Sequence, residues 1–312
     1  MSTTAQRDLT EISVPAPAIS PAARTLRALL GTINHNWATR AGALLVVIYL
    51  LFAIFGPIFT GDPLELSTNR LLEPGSESLF GTDHLGRDML ARSADGARIS
   101  LLVAVMSVLL GLILAVPAGM IAGYRGGTMI DEVIMRSVDV ILALPLFVLG
   151  MFVLGLTGIG PTQVGPIEIP GAWKVVLLIA LAATPFFARV ARAATLVEVH
   201  EDYVDALKVV GVPRRRILFR EVIVNVAPPV LVQAFLWIAI AIFAEAALSF
   251  LGLGIQPPAP TIGNILFDAT AFMLLGAWWY SLFPGMVLLV ATVGFNLVGD
   301  GLNDLLDPQL RQ

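Results

Sequence analysis

Two runs free of any charged side chain, Ala41–Gly61 and Ile99–Tyr124, constrain this chain more than anything else in it. A helix needs about 20 apolar residues to cross a hydrocarbon layer of roughly 30 Å, where every backbone N–H and C=O must be satisfied within the protein. Both runs therefore read as membrane-spanning helices. The composition agrees, because 57% of the 312 residues are hydrophobic and only 13% charged, about half the charged share of an average soluble domain. Ala41–Gly61 is longer than the apolar core of a secretory signal and lacks a small-x-small site after it, so it reads as a retained span.

Four more spans are expected. A third runs from Asp131 to about Leu156, with Arg136 and Asp139 placed to pair near the interface. A fourth covers Ala172 to Ala194, with Trp173, Lys174, Arg189 and Arg192 at headgroup level and their long side chains snorkelling outward. A fifth occupies Val226 to about Leu251 and carries Glu245. The sixth lies within Ala269–Gly299, opened by Trp278, Trp279 and Tyr280 as an interfacial aromatic belt.

Six spans put both termini on one side, and taking that side as the cytoplasm places 14 of the 19 Lys and Arg residues inside. The segment Asp62–Arg98 then faces outward with seven acidic and four basic residues, and the outer loops Thr157–Ala172 and Gly252–Phe267 hold neither Lys nor Arg. The expected organisation is a tail over 1–40 whose first 23 residues are disordered, a span at 41–61, an extracytoplasmic segment at 62–98 with an interfacial helix, a five-helix core at 99–304 with a cytoplasmic loop at 195–222, and a tail at 305–312.

Several chemistries are excluded. The chain has no cysteine, which removes disulfides, thiolate metal sites and cysteine nucleophiles. Its formal charge of −4, without a basic stripe, argues against nucleic acid. No GxxxxGK[ST] or HExxH motif occurs, and His35, His84 and His200 fall near or outside the interfaces, which disfavours a membrane hydrolase. In GTDHLGRD, Gly81 and Gly86 flank a turn, Thr82 or Asp83 caps the next helix, and Asp88 is placed to pair with Arg92; a metal held by Asp83, His84 and Asp88 is the alternative. Glu245 inside a span implies pairing within the bundle or a role in an outer gate or solute path. Pro117, Pro145, Pro185 and Pro284 read as kinks, and Gly294, Gly299 and Gly301 with Ala291 as a place of close helix packing. Asp300, Asn303, Asp304 and Asp307 form an acidic C-terminal cluster suited to a second contact with a partner.

The loop between the fourth and fifth spans is too patterned to be a plain linker. Tyr203, Ala206, Leu207 and Val210 make an apolar stripe at i, i+3, i+4, i+7 on a helix that also carries Glu201, Asp202, Asp205 and Lys208. Gly211 ends that helix, Pro213 opens another, and Arg214, Arg215 and Arg216 lead into Ile217, Leu218 and Phe219. The pattern is helix, tight turn, helix.

This loop resembles the coupling loop of ABC-importer permeases, whose pattern is Glu-Ala-Ala, three residues, Gly, nine residues, then Ile-x-Leu-Pro. Asp205, Ala206 and Gly211 fall in register; Leu207 replaces the second alanine, and Glu221, Ile223 and Val224 stand at the later positions. FGTDHLGRDMLARSADGARISLL at Phe80–Leu102, EAALSFLGLGIQPPAP from Glu245, the Gly263-Asn264 pair and FPGMVLLVATVGFNLVGDGLNDLLDPQLR look like the C-type permease subunit of the dipeptide, oligopeptide and nickel transporters. The resemblance implies the type I ABC-importer permease fold in a bacterial inner membrane. It also implies a chain that is not itself an enzyme and that works with a homologous second permease, two ATP-binding subunits holding ATP and Mg, an extracytoplasmic solute-binding protein and membrane lipid. The short helix would lie in a groove of the ATPase, with Tyr203, Asp205, Ala206, Leu207, Gly211, Arg214 and Arg215 forming the coupling site and Glu245 a gate or an intramembrane pair. The competing reading is an ion-gradient transporter with Glu245, Arg136 and Asp139 as its relay, although no pair of broken helices recurs in repeated halves.

Overall fold

The computed structural model describes residues 37–164 and 167–306. The expected disordered tail, His35 and Asp307 lie outside the described residues. Five helices are long and apolar enough to cross a membrane. These are α1 (Trp37–Phe59), α2 (Met89–Tyr124), α5 (Gly171–Glu198), α7 (Arg214–Phe250) and α9 (Trp279–Leu306), and a bent pair, α3 (Met129–Leu142) and α4 (Leu146–Thr157), makes up to a sixth. The surface is apolar outside as well as within: Leu44, Val47, Ile48, Leu51, Ile54, Phe55 and Ile58 of α1 are all exposed, as expected of a helix whose solvent is lipid.

The third span is not one helix. α3 and α4 meet at 88°, and 14 and 12 residues make pieces of only about 21 and 18 Å, each short of the roughly 30 Å hydrocarbon layer. Pro145 is the cause, since it has no N–H to give the α3 ladder and instead stands as N-cap of α4 with ψ 139°. α7 starts earlier than expected, at Arg214, and widens into a π-type turn over Ile217–Val222 before Pro228 and Pro229. A short antiparallel hairpin, β1 (Thr162–Val164) with β2 (Ile167–Ile169), pairs Gln163 with Glu168 in an otherwise helical chain.

The most extensive helix contact is between α2 and α5. Small residues at four-residue spacing on α2 let the two backbones approach: a Cβ on Gly111 would lie 3.2 Å from the Ala180 carbonyl oxygen, one on Gly119 2.3 Å from that of Ala188, and one on Gly123 2.6 Å from that of Arg192. The glycines of α9 are likewise packing positions, with Gly294 against Leu45 and Val46, Gly299 against Leu236 and Gly301 against Thr39.

The charged side chains of α3 and α5 pair both along one helix and across helices. Arg136 pairs with Glu132 at 2.6 Å, not with Asp139, which pairs instead with Arg189 of α5 at 2.6 Å. Arg192 grips Asp131 through two bonds of 2.6 and 2.7 Å. Lys174 does not snorkel outward but is buried, donating to the carbonyls of Thr157, Gly158 and Gly160 and to the Thr162 hydroxyl. Of these, the Arg192–Asp131 pair and the Lys174 cradle are the ones that satisfy charge away from solvent.

On the opposite end of the bundle, residues 62–88 pack onto α8 (Ile262–Met273) and the start of α9 through Met89, Ile265, Ala269, Trp279 and Tyr280. Trp279 and Tyr280 are thus core residues, and only Trp278 of the expected aromatic belt is exposed. Asp83 is fully buried and organises this layer, accepting from the backbone N–H of Leu85 and Arg87 and from the Arg87 and Arg92 guanidinium groups. Arg92 therefore pairs with Asp83 and not with Asp88, whose carboxylate caps α2 at Ala91 N–H. Burial alone would push the Asp83 carboxyl up, but the Arg87 N–H, the Arg92 charge, the Arg87 side chain and the Leu85 N–H outweigh it and hold it below its ordinary 3.8.

Two outcomes follow. Asp83→Asn leaves two guanidinium groups short of a charge in a buried layer, and the loss expected is about 3–5 kcal/mol, read as a lowered unfolding temperature of the detergent-purified chain. Because the Asp83 value is depressed, its contribution is complete above pH 3.8 and is lost only as pH falls through the lower folded value, so protease resistance of residues 62–88 is expected to be equal at pH 7 and pH 5. Gly119→Ala is expected to abolish a monodisperse elution profile, whereas Gly155→Ala, with nothing within 4 Å of the added carbon, leaves it unchanged.

Candidate functional site: the helical hairpin and the buried carboxylate

The hairpin begins where α5 ends. α6 (Asp202–Val209) is two turns long, and its C-terminus closes on Gly211 at φ +84°, a left-handed conformation that costs an L-residue about 1–2 kcal/mol. Val212 N–H reaches back to the Leu207 carbonyl at 3.0 Å and Gly211 N–H to that of Lys208 at 3.1 Å, which satisfies two otherwise unpaired carbonyls of the last turn. Pro213 then caps α7, its fixed φ of −62° suiting the position.

The hairpin is seated by burial. Val204 is fully buried in a cluster with Met120 of α2, Ala191 of α5 and Ile217, Leu218, Val222 and Val226 of α7, with Leu207 and Val212 packed at its edge. The expected stripe is therefore divided: Leu207 turns inward beside Val204, while Tyr203, Ala206 and Val210 stay exposed, Val210 at 81% and its neighbour Val209 at 87%. Sequence periodicity picked the outward apolar face and missed Val204, whose i, i+3 partner Leu207 was the available signal.

Polar contacts fix the rest. Tyr203 donates its hydroxyl to the Glu198 carboxylate at 2.6 Å. Partial burial, then this bond and the Glu198 charge, push the phenol up to about 12, so it remains a donor at physiological pH. Asp205 accepts from Lys208 at 2.9 Å, and that bond holds its carboxyl below the usual carboxylate range. Arg214 and Arg215 are exposed at the start of α7. A cleft of about 690 Å³ opens between the hairpin and the turn after α2, lined by Arg125, His200, Asp205, Lys208 and Arg214 among others.

Glu245 is far from this assembly in the chain's architecture. It is fully buried in α7 and accepts from Ser100 of α2 and, at 2.7 Å, from Ser249 one turn along. Arg136 and Asp139, its expected relay companions, are exposed and paired elsewhere. The candidate metal trio is also dispersed: Asp83 binds arginines, Asp88 caps α2, and His84 stacks on Phe272 and meets the Tyr280 hydroxyl at 3.1 Å.

The structure is thus a bundle of membrane helices with a seated hairpin at one end, whose outward apolar face is left uncovered. The chain belongs to the family of binding-protein-dependent transport system inner membrane components, whose family model matches residues 115–312. It is similar to the di/tripeptide transport system permease protein DppC of Pseudomonas aeruginosa, 36% identical over 95% of this chain and 97% of that one. It is also similar to the dipeptide transport system permease protein DppC of Alkalihalophilus pseudofirmus, at 35% over 89% and 88%, and to the probable D,D-dipeptide transport system permease protein DdpC of Escherichia coli, at 37% over 90% and 91%. A solved structure of the MetNI methionine ABC transporter in an inward-facing conformation superposes with a TM-score of 0.54 at 17% identity, over 70% of this chain and 98% of the matched chain. The fold is thus the type I ABC-importer permease fold, and the chain is a permease subunit of the inner membrane; the ion-gradient reading gives way to the ATP-driven one.

The hairpin geometry has a direct test. Gly211→Pro cannot adopt φ +84°, because proline is locked near −65°, and it is expected to open the hairpin to proteolysis while membrane insertion continues. Gly211→Ala meets no atom within 4 Å, so only backbone strain of about 1–2 kcal/mol applies and the hairpin stays closed.

Proposed function

We propose that this chain is the half of an importer's translocation pathway that takes up di- or oligopeptides, pairing with a homologous second permease, two ATP-binding subunits and an extracytoplasmic binding protein. The relatives' names supply the peptide class, and the positive-inside count supports the hairpin and both termini in the cytoplasm. ATP and Mg belong to the partner subunits, and this chain contributes no hydrolytic site of its own. The organisation at 1–40, 41–61, 62–98, 99–304 and 305–312 follows the same orientation.

One observation carries the reading: Tyr203, Ala206 and Val210 are exposed on a helix whose other face is anchored in the bundle. An uncovered apolar face on a fixed short helix is suited to lie in a partner's groove. Tyr203, Ala206 and Leu207 belong to that docking element; Asp205 offers a carboxylate that a partner cation can take from Lys208, and Gly211, Arg214 and Arg215 carry the movement into α7. Glu245 acts as a buried structural pair near the outer ends of α2 and α7.

The test uses proteoliposomes containing the co-purified complex, with binding protein and a labelled alanyl-alanine outside. Uptake is expected to require ATP inside and to persist when the proton and sodium gradients are dissipated. Uptake that follows a gradient without ATP contradicts the proposal.

A further inference from the structure

The covalent route from α6 to α7 runs through Gly211, a joint with no atom within 4 Å of its missing Cβ. The seat beneath α6 is apolar and turns Val204 and Leu207 inward. Among the described residues, the side-chain hydrogen bond that ties α6 to another helix is made at Tyr203. Glu198, the last residue of α5, accepts through the same carboxylate oxygen from the Tyr203 hydroxyl of α6 at 2.6 Å and from the Asn225 side-chain amide of α7. Three elements meet at that oxygen, and hydrogen bonds to an ionised acceptor are short, directional and stronger than neutral ones.

We propose that Glu198 is the positioning residue of the coupling hairpin, setting the angle of α6 and giving it a second, side-chain link to α5 and α7 that bypasses the glycine joint. This rests on the coupling role proposed above. Tyr203 then serves twice: its ring belongs to the exposed docking face and its hydroxyl registers that face on the bundle. A push on α6 reaches α5 and α7 together rather than being absorbed at Gly211. Glu198 meets neither solute nor nucleotide in this arrangement, so its removal acts on the yield of transport per ATP.

The experiment uses the complete transporter in proteoliposomes and measures labelled alanyl-alanine taken up per ATP hydrolysed, together with the amount of ATP-binding subunit that co-purifies. Glu198→Ala and Tyr203→Phe are each expected to lower uptake per ATP at least threefold with co-purification unchanged. The double variant is expected to be no worse than Glu198→Ala, because both changes break one contact. Glu198→Gln, which keeps an oxygen able to accept both bonds, is expected to restore most of the ratio, whereas Glu198→Leu, of similar bulk without an acceptor, is expected to be as poor as Glu198→Ala, a difference that simple loss of packing does not predict. A wild-type ratio in Glu198→Ala, multiplying losses in the double variant, or a Glu198→Gln variant as poor as Glu198→Ala overturns the proposal. If ATP-binding subunits fail to co-purify even with the unaltered chain, the coupling role itself fails, an outcome distinct from a Glu198 variant that assembles and transports normally.

Discussion

The rest of the structure depends on the close seam between α2 and α5. Gly111, Ala115, Gly119 and Gly123 present almost no side chain to α5, so backbone meets backbone along more than three turns. In lipid there is no hydrophobic gain from pairing two apolar helices, and tight van der Waals contact between small residues takes its place. The seam also brings Met120 and Ala191 side by side at its end, and these two residues form the floor on which Val204 rests. A bulky residue in the seam would therefore disturb the hairpin as well as the bundle.

From that floor the mechanical logic of the bundle follows. α6 is anchored inward through Val204 and Leu207 and left open outward through Tyr203, Ala206 and Val210. Ion pairs between α3 and α5, Arg189 with Asp139 and Arg192 with Asp131, tie the bent half-helix to the same rigid element. At the other end, Asp83 and its two arginines lock residues 62–88 to the bundle. Membership of a binding-protein-dependent transport family fits a body of this kind, braced at both ends and with an uncovered apolar face at one.

Much of this was legible in the sequence because lipid imposes so strict a solvent. Charge-free length located α1, α2 and α9, α5 and α7 were placed despite the charges at their ends or within them, and Gly211 with Pro213 marked a turn whose positive φ favours glycine. Direction was not legible: apolar length across Asp131–Leu156 is the same for a straight helix and for two pieces at 88°, and only the structure shows Pro145 as a break rather than a kink. Charge partners were misjudged wherever proximity along the chain was taken for proximity in space, as with Arg136 and Asp139, or Asp88 and Arg92. Lys174 reads as a snorkelling residue because the charge-free run beside it is short, yet carbonyls of the turn after α4 receive it. Val204 and Glu198 went unnoticed because the Tyr203 stripe accounted for the apolar residues of α6, and a glutamate at a span's end looks like any solvated charge. The four-residue spacing of small residues on α2 was on view from the start and is the signal that would have found the seam.

The chain's lack of cysteine allows the central claim to be tested at one position. Ala206→Cys places a single thiol in the middle of the exposed face of α6, and its reaction with a membrane-impermeant maleimide can be followed with and without the ATP-binding subunits. The account predicts labelling from the cytoplasmic side only, strong in the isolated chain and suppressed in the assembled transporter. Labelling from the external side, or labelling that assembly leaves unchanged, contradicts it.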